Sequence, residues 1–429
     1  MQTSEGGEPT PIAPILWVNF MGSVGFSIVL PFLVFLVTRL GGNAFIYGVM
    51  GATYSFFQLI GAPVLGQWSD RFGRRRVLLL SQLGTLVSWL IFLGALFLPA
   101  RQMLAVDSAA LGTFTITIPL VALFLARALD GVTGGNVSVA NAYLADITAE
   151  TERTAAFGKM AVSSNLGFIL GPAIAGLLGG TALREIPPVV AALIISAVAS
   201  WTVAFKLRES VRCVLAASPE QVSVRKVMGQ EQRDCYELEL APKLGTLEIL
   251  RLPSIAFLMT LYFLVYLAFN FFYIAFPVHA ATRLGWSLTD TGIFFAVASL
   301  MMVTVQGPVL SRLSRRFSDR LLISAGSLLL AVSFLGYMSN DTVTIYAGTA
   351  LLALGNGIMW PSITASLAKA TAREVQGTVQ GFAGSAAAVA SILGLLAGGL
   401  IYGLIGGLIF AAAAAVTLVV FLLSLRPTS

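Results

Sequence analysis

Arg127 and Asp130 are the only charges lying well inside any long apolar stretch of this chain, within L-A-R-A-L-D-G-V-T-G-G at Leu125–Gly135. Charges at such depth in an apolar segment are expensive and face a cavity or one another. Their i,i+3 spacing puts both on one helical face, within pairing distance. Two chemistries follow. Asp130 trades a proton with a water-filled cavity while Arg127 stands beside it, or the two form a static salt bridge. No metal-ligand spacing and no nucleophile–base arrangement occurs anywhere, so the chain reads as a non-enzyme without metal or cofactor. The single histidine, His279, falls at a helix end and reads as an interfacial side chain. Cys213 and Cys235 share the longest polar stretch and read as reduced thiols.

A second group lies in Gly66–Arg76, G-Q-W-S-D-R-F-G-R-R-R, between the apolar runs Phe45–Leu65 and Val77–Leu98. So short a link forces a tight hairpin, which its glycines permit. Its arginines hold the tip on the cytoplasmic side of a membrane. Asp70 can cap a neighbouring helix or pair with Arg71 or Arg74, a contact available in one conformational state only. Gly66, Asp70, Arg71, Gly73 and Arg74 are thus candidates for a latch; the alternative makes the arginines topological anchors alone. Trp68 reads as an interfacial anchor. A third group is N-L-G-F-I-L-G-P-A-I-A-G at Asn165–Gly176. There Gly167, Gly171 and Gly176 allow close helix approach, and Pro172 frees a carbonyl and kinks the helix.

The elements that must position these groups are membrane helices. The chain of 429 residues is 57% hydrophobic and only 11% charged, against about 25% charged in soluble domains. Apolar runs of roughly 20 residues, continuous rather than alternating, are helical spans and not barrel strands. The first has no basic flank and no cleavage site, and is a retained span. Twelve spans are expected, at 12–38, 44–65, 77–99, 116–145, 155–179, 187–206, 253–279, 288–311, 320–338, 342–367, 375–400 and 403–425. The links 66–76, 146–154, 207–252, 312–319 and 368–374 hold nearly all the Lys and Arg, so an N-in/C-in topology is expected. The net charge of +6 is topological and marks no nucleic-acid surface.

The polar link 207–252 divides the chain into six-helix halves, 1–206 and 253–429, and its segment 244–252 reads as an amphipathic helix or as solvated linker. The halves repeat one another: A-P-V-L-G at Ala62–Gly66 answers G-P-V-L-S at Gly307–Ser311, and T-R-L-G recurs at Thr38–Gly41 and Thr282–Gly285. A parallel duplication of this kind marks a transporter whose halves rock around a midplane site.

These motifs together resemble the major facilitator superfamily, and most of all its drug:proton antiporter branch, which includes tetracycline exporters. Gly66–Arg76 is similar to the signature between helices 2 and 3. Leu125–Gly135 with A-D-I-T at Ala145–Thr148 resembles the helix-4 motif, which the family links to proton coupling by way of Arg127. Asn165–Gly176 resembles the helix-5 antiporter motif, which seals one side against leak. The resemblance implies a cavity lined by helices 1, 4, 7 and 10, with Asn19, Ser23, Asn136, Asn141, Tyr262, Tyr266, Asn270, Tyr273, Asn356 and Trp360 as substrate-contacting candidates. It implies a small-molecule substrate, protons as coupling ion, surrounding membrane lipids, a monomer and a bacterial cytoplasmic membrane. There are departures. Gly22 stands where tetracycline-type exporters carry a helix-1 aspartate. Arg315 and Ser318 replace Asp70 and Gly73 in the second copy, and Leu395 replaces the helix-5 proline. The expected function is proton-coupled export of small lipophilic or amphipathic compounds by alternating access. Its rivals are an uncoupled carrier of lipid-like amphiphiles or a metabolite, and a transport-inactive receptor or scaffold.

Overall fold

The structure, a computed structural model, describes residues 11–134, 136–148, 153–210, 255–370 and 376–425. Most of the polar link, with both cysteines and the segment 244–252, lies outside them. The first expected span divides into α1 (Ala13–Ser27) and α2 (Val29–Arg39). Pro31 has no N–H to give the Ser27 carbonyl, so the ladder is interrupted there. The Ser27 hydroxyl donates 3.0 Å to the Gly167 carbonyl. Next come α3 (Ala44–Phe72) and α4 (Arg74–Ala95), separated by Gly73 alone. Its φ of 96° is the left-handed backbone that the arginine turn requires.

The stretch expected to be a simple link before a helix at 116 is instead an antiparallel hairpin of β1 (Gln102–Ser108) and β2 (Gly112–Thr117). Thr113, Phe114, Thr115, Ile116 and Thr117 are strand formers, and the hairpin is stitched to the turn between α2 and α3. Thr115 N–H donates 2.8 Å to the Gly41 carbonyl, and the Thr117 hydroxyl donates 3.0 Å to that of Leu40. Asn43 acts twice: Oδ1 accepts the Ile46 N–H (3.1 Å) as the cap of α3, and Nδ2 donates to the Leu111 carbonyl (2.8 Å) at the hairpin tip. Asn43→Ala is expected to cost about 1 kcal/mol for the cap and to loosen the tip. A lower melting temperature with faster proteolysis inside 102–117 is the check.

The expected fourth span is broken as well, into α5 (Ile118–Thr133) and α6 (Asn136–Ile147). Gly134 caps α5 at the break, and glycine costs about 1 kcal/mol of helix relative to alanine. α7 (Arg153–Gly179) and α8 (Ile186–Phe205) complete the first half. The second half holds α9 (Ile255–Thr282) and α10 (Leu288–Thr304). A π-turn at Val305–Val309 follows, where Pro308 again withholds an N–H, and leads into α11 (Leu310–Leu313). Then come α12 (Asp319–Gly336), α13 (Thr342–Lys369), α14 (Gln376–Ile405) and α15 (Ile409–Ser424). Among the described residues ten stretches are long and apolar enough to cross a membrane. Neither α5 with 16 residues nor α6 with 12 has that length alone, and 382–424 is one apolar stretch containing a 3-10 turn at Gly406–Leu408.

Packing follows membrane rules. Large apolar side chains such as Leu177, Phe205 and Val343 are exposed around the rim, where lipid is their solvent. Fully buried aromatics (Phe32, Phe276, Phe294, Phe334, Tyr337) fill the interior. The most extensive contacts between the helices up to α8 and those from α9 onward are α3 with α14 and α7 with α10. Small residues set how close those pairs come.

Candidate transport cavity and its seals

A cavity of about 390 Å³ lies in the first half, facing α9. α1 contributes Asn19 and Ser23, α3 Tyr54 and Gln58, and α4 Gln82, Thr85 and Trp89. Asp130 from α5, Ser164 and Phe168 from α7, Ser196 from α8 and Tyr266 from α9 close it. Asp130 is the charged residue of this wall. Its Oδ2 is 3.0 Å from Nη1 of Arg127, which lies behind the wall. Both side chains are buried. The Thr85 hydroxyl lies 3.4 Å from that of Thr133, one turn further along α5. The Arg127 guanidinium carbon sits 4.4 Å from the Tyr54 ring centroid. That ring would still face the cation if Asp130 were neutralised, a contact worth roughly 2 kcal/mol or more when desolvated. Gln58 Nε2 donates to the Tyr54 hydroxyl (3.2 Å) and to the Gly134 carbonyl (3.1 Å). The pair is therefore held from one side by protein and open on the other to whatever fills the cavity.

The other sequence-derived candidates divide. Asn19, Ser23 and Tyr266 reach the wall, but the Asn19 amide also ties α1 to α7. It donates to the Met160 carbonyl (3.1 Å) and to the hydroxyls of Ser163 (3.0 Å) and Ser164 (2.7 Å). The Ser23 hydroxyl donates to the Asn19 carbonyl at 2.9 Å. Tyr262, Tyr266 and Trp360 form one aromatic cluster, with centroids 4.6–5.1 Å apart, of which only Tyr266 lines the cavity. Asn270 bonds the Tyr266 carbonyl (2.8 Å) and the Ser391 hydroxyl (3.2 Å), joining α9 to α14. Tyr273 packs on Phe269 and Phe295, and Asn356 reaches Met302 Sδ at 3.4 Å. Asn141 lies on α6 away from the wall, and the Asn136 side chain is outside the described set. Helices 1, 4 and 7 line this cavity through α1, α5, α6 and α9, α3 and α4 supply much of its polar surface, and α13 is not part of its lining. Gln82, Thr85 and Trp89 recur at i, i+3 and i+7 on one face of an apolar helix, a pattern readable in the sequence. His279, expected at the interface, is buried, with Nδ1 3.4 Å from the Tyr402 hydroxyl.

The arginine turn is tied down by Ser69, Asp146 and the residues at and just beyond the end of α8. Arg74 Nε lies 3.0 Å from Asp146 Oδ2, the aspartate of A-D-I-T, and Nη1 donates to the Ser69 hydroxyl. Ser210 donates to the same Asp146 oxygen at 3.1 Å. Arg75 N–H donates 3.1 Å to Glu209 Oε1, and its guanidinium reaches the Val203 and Ala204 carbonyls at the end of α8. The Asp70 and Arg71 side chains lie outside the described set. The charge network seen here therefore runs from Arg74 to Asp146 and from Arg75 to Glu209.

On the opposite side, where the β-hairpin lies, two helix crossings bring backbone against backbone. α3 begins and α14 ends there; α7 ends and α10 begins there. A Cβ on Gly176 would stand 2.9 Å from Gly292 Cα, and one on Gly399 would stand 3.1 Å from Gly48 Cα. Backbone meets backbone at both crossings, one in each helix pair. Along α7, Thr289 and Ser299 of α10 donate to the Gly176 (3.1 Å) and Phe168 (3.3 Å) carbonyls, and Asn165 donates to Gln306 Oε1 (3.0 Å) in the π-turn that follows α10. Gly167 and Gly171 instead let α7 lie against α1. The proline of the same motif, Pro172, is buried inside an unbroken α7.

Comparison with known proteins agrees with this architecture. Tetracycline resistance protein class D of Salmonella ordonez is 26% identical over 370 residues, spanning 86% of this chain and 83% of that protein. The class C protein of Escherichia coli is 29% identical over 371 residues, 85% and 82% of the two chains. Multidrug resistance protein 2 of Bacillus subtilis is 24% identical over 383 residues, 87% and 84%. Among solved structures, the human organic anion transporter MFSD10 (TETRAN) aligns with a TM-score of 0.65 at 21% identity, covering 96% of this chain and 98% of that one. The many apolar helices and these relatives make the chain a multi-pass integral protein of the cell membrane. The Major Facilitator Superfamily matches residues 15–323 and 258–429, and the chain belongs to that superfamily.

Proposed function

We propose that this superfamily transporter exports small lipophilic or amphipathic compounds in exchange for protons, by alternating access. The observation that carries the reading is a membrane-buried carboxylate, Asp130, on the wall of a ligand-sized cavity, with its counter-ion Arg127 behind it. Asp130 is the proton site. Arg127 and the Tyr54 ring keep the charge balance tolerable in both protonation states. The substrate occupies the cavity lined by Tyr266, Asn19 and Ser23. Twelve spans with both termini in the cytoplasm, arranged as halves 1–206 and 253–429 around the link 207–252, complete the reading. In that orientation the two glycine crossings close the external side. The Gly66–Arg76 turn, with Asp70, Arg71 and Arg74, acts on the cytoplasmic side when the halves rock the other way. The tetracycline and multidrug resistance relatives support efflux at the level of the family.

The test is accumulation of tetracycline and lipophilic dyes in inside-out vesicles with an acidified lumen. One pH unit is worth about 1.4 kcal/mol per proton, or about tenfold accumulation for one-for-one exchange. Accumulation of that order, abolished by a protonophore, is expected. Equal accumulation with and without the gradient would favour the uncoupled carrier, for which the 3.0 Å Arg127–Asp130 bridge is static structure.

A further inference from the structure

One polar group in the cavity wall is left unanswered. Gln82, on α4, is 2% exposed, and its Nε2 has no hydrogen-bond partner among the described residues. A buried donor without a partner costs about 1–3 kcal/mol, a cost removed when something in the cavity offers an acceptor. The neighbouring amides are already engaged, Gln58 with Tyr54 and the Gly134 carbonyl, and Asn19 with α7. With Asp130 ionised the wall carries no net charge, because Arg127 balances it at 3.0 Å, and with Asp130 protonated the balance is positive. Trp89, Phe168 and Tyr266 supply aromatic surface. The volume of about 390 Å³ lies in the range of small-molecule sites.

From these features we infer that the cavity takes amphiphiles that are net-uncharged, neutral or zwitterionic, and that bear a carbonyl or hydroxyl acceptor, and that Gln82 selects them by donating to that acceptor. The inference rests on the cavity being the substrate site, as proposed above. A permanent lipophilic cation finds no net negative wall here, and it leaves the Gln82 amide unpaired. Sites built to hydrogen-bond a ligand group reject analogues lacking it far more strongly than apolar pockets reject a missing methylene.

The test is equilibrium binding to the purified full-length protein at one fixed pH with no gradient. The probes are tetracycline and chloramphenicol, net-uncharged and carbonyl-bearing, and tetraphenylphosphonium, a cation without an acceptor. At least one carbonyl-bearing probe is expected to bind about tenfold or more tighter than the cation. Gln82→Leu should remove that advantage while leaving the cation's affinity unchanged, which also shows that the variant is folded. Gln82→Met is the second variant should Gln82→Leu fail to fold. Gln82→Glu should move the preference toward tetraphenylphosphonium. The inference is overturned if the cation binds as well as the others, if both apolar variants keep the wild-type affinities, or if neither carbonyl-bearing probe binds. Tyr266→Ala separates the two levels of the reading. A probe weakened by Tyr266→Ala and indifferent to Gln82→Leu sinks the Gln82 assignment alone, and one indifferent to both sinks the cavity as the site.

Discussion

Gly292→Ala is expected to stop transport and leave the protein open on the side of the β-hairpin. At this crossing a new Cβ would fall inside van der Waals contact of Gly176 Cα, with Gly176 N at 2.8 Å and the Pro172 carbonyl at 3.0 Å. All three neighbours are backbone, so no side chain can rotate away. Overpacking of this kind costs about 1–3 kcal/mol. Two conformers of a moving protein differ by only a few kcal/mol, so a penalty on one of them shifts their ratio by about 5–150-fold. Gly399→Ala should act alike at the other crossing, where Gly48 Cα and the Ala44 carbonyl stand 3.1 and 2.6 Å from the new atom. Gly94→Ala is the control, because nothing lies within 4 Å of its Cβ. Labelling of single cysteines near the cavity by a membrane-impermeant maleimide, added from the hairpin side, reads the shift. Faster labelling in both crossing variants, with Gly94→Ala like wild type, is the expected pattern. Unchanged labelling would mean that the crossings are ordinary packing and close nothing.

The second large effect is expected at Asp130. Asparagine keeps the shape and an oxygen for Arg127, yet it cannot exchange a proton. Stripping one partner from a buried ion pair costs about 3–5 kcal/mol. Asp130→Asn should lose less, because the guanidinium keeps a hydrogen bond and its place over the Tyr54 ring. The protein should therefore fold and bind substrate, while gradient-driven accumulation falls about tenfold or more, to the level seen without a gradient. Asp130→Glu restores a titratable carboxyl and should recover part of the response. A variant that folds, binds and still follows the gradient would make Arg127–Asp130 a structural bridge.

Much of this arrangement was legible before any coordinates. Run lengths and the low charge content imposed membrane helices; Gly73 sits in the tight turn demanded by the Gly66–Arg76 motif. The i,i+3 spacing of Arg127 and Asp130 became a 3.0 Å contact, because a helix brings such residues together whatever surrounds it. Other features were less visible, for identifiable reasons. The strand pair at 102–117 is too short and too polar to stand out between apolar runs. Its pairing depends on Gly41 and Asn43, which lie some 70 residues earlier in the chain. The end of α5 at Gly134 is marked by a glycine, but the apolar run on either side hides it. Gln82, Thr85 and Trp89 repeat along one face of α4, but helix order in the family points to helices 1, 4, 7 and 10 instead. Gly292, Gly48 and Gly399 could not be singled out at all. Nothing local distinguishes a glycine that meets another backbone from one that faces lipid.

The central claim is that protons and substrate cross in opposite directions through one site at Asp130. The direct measurement is proton movement itself, in vesicles loaded with a pH-sensitive dye and energised only by an outward-directed substrate gradient. Wild-type protein should acidify the lumen as substrate leaves, in fixed proportion to it, and Asp130→Asn should release substrate with no pH change. Substrate efflux from wild-type vesicles with a flat dye signal, or an undiminished proton signal in Asp130→Asn, would contradict it.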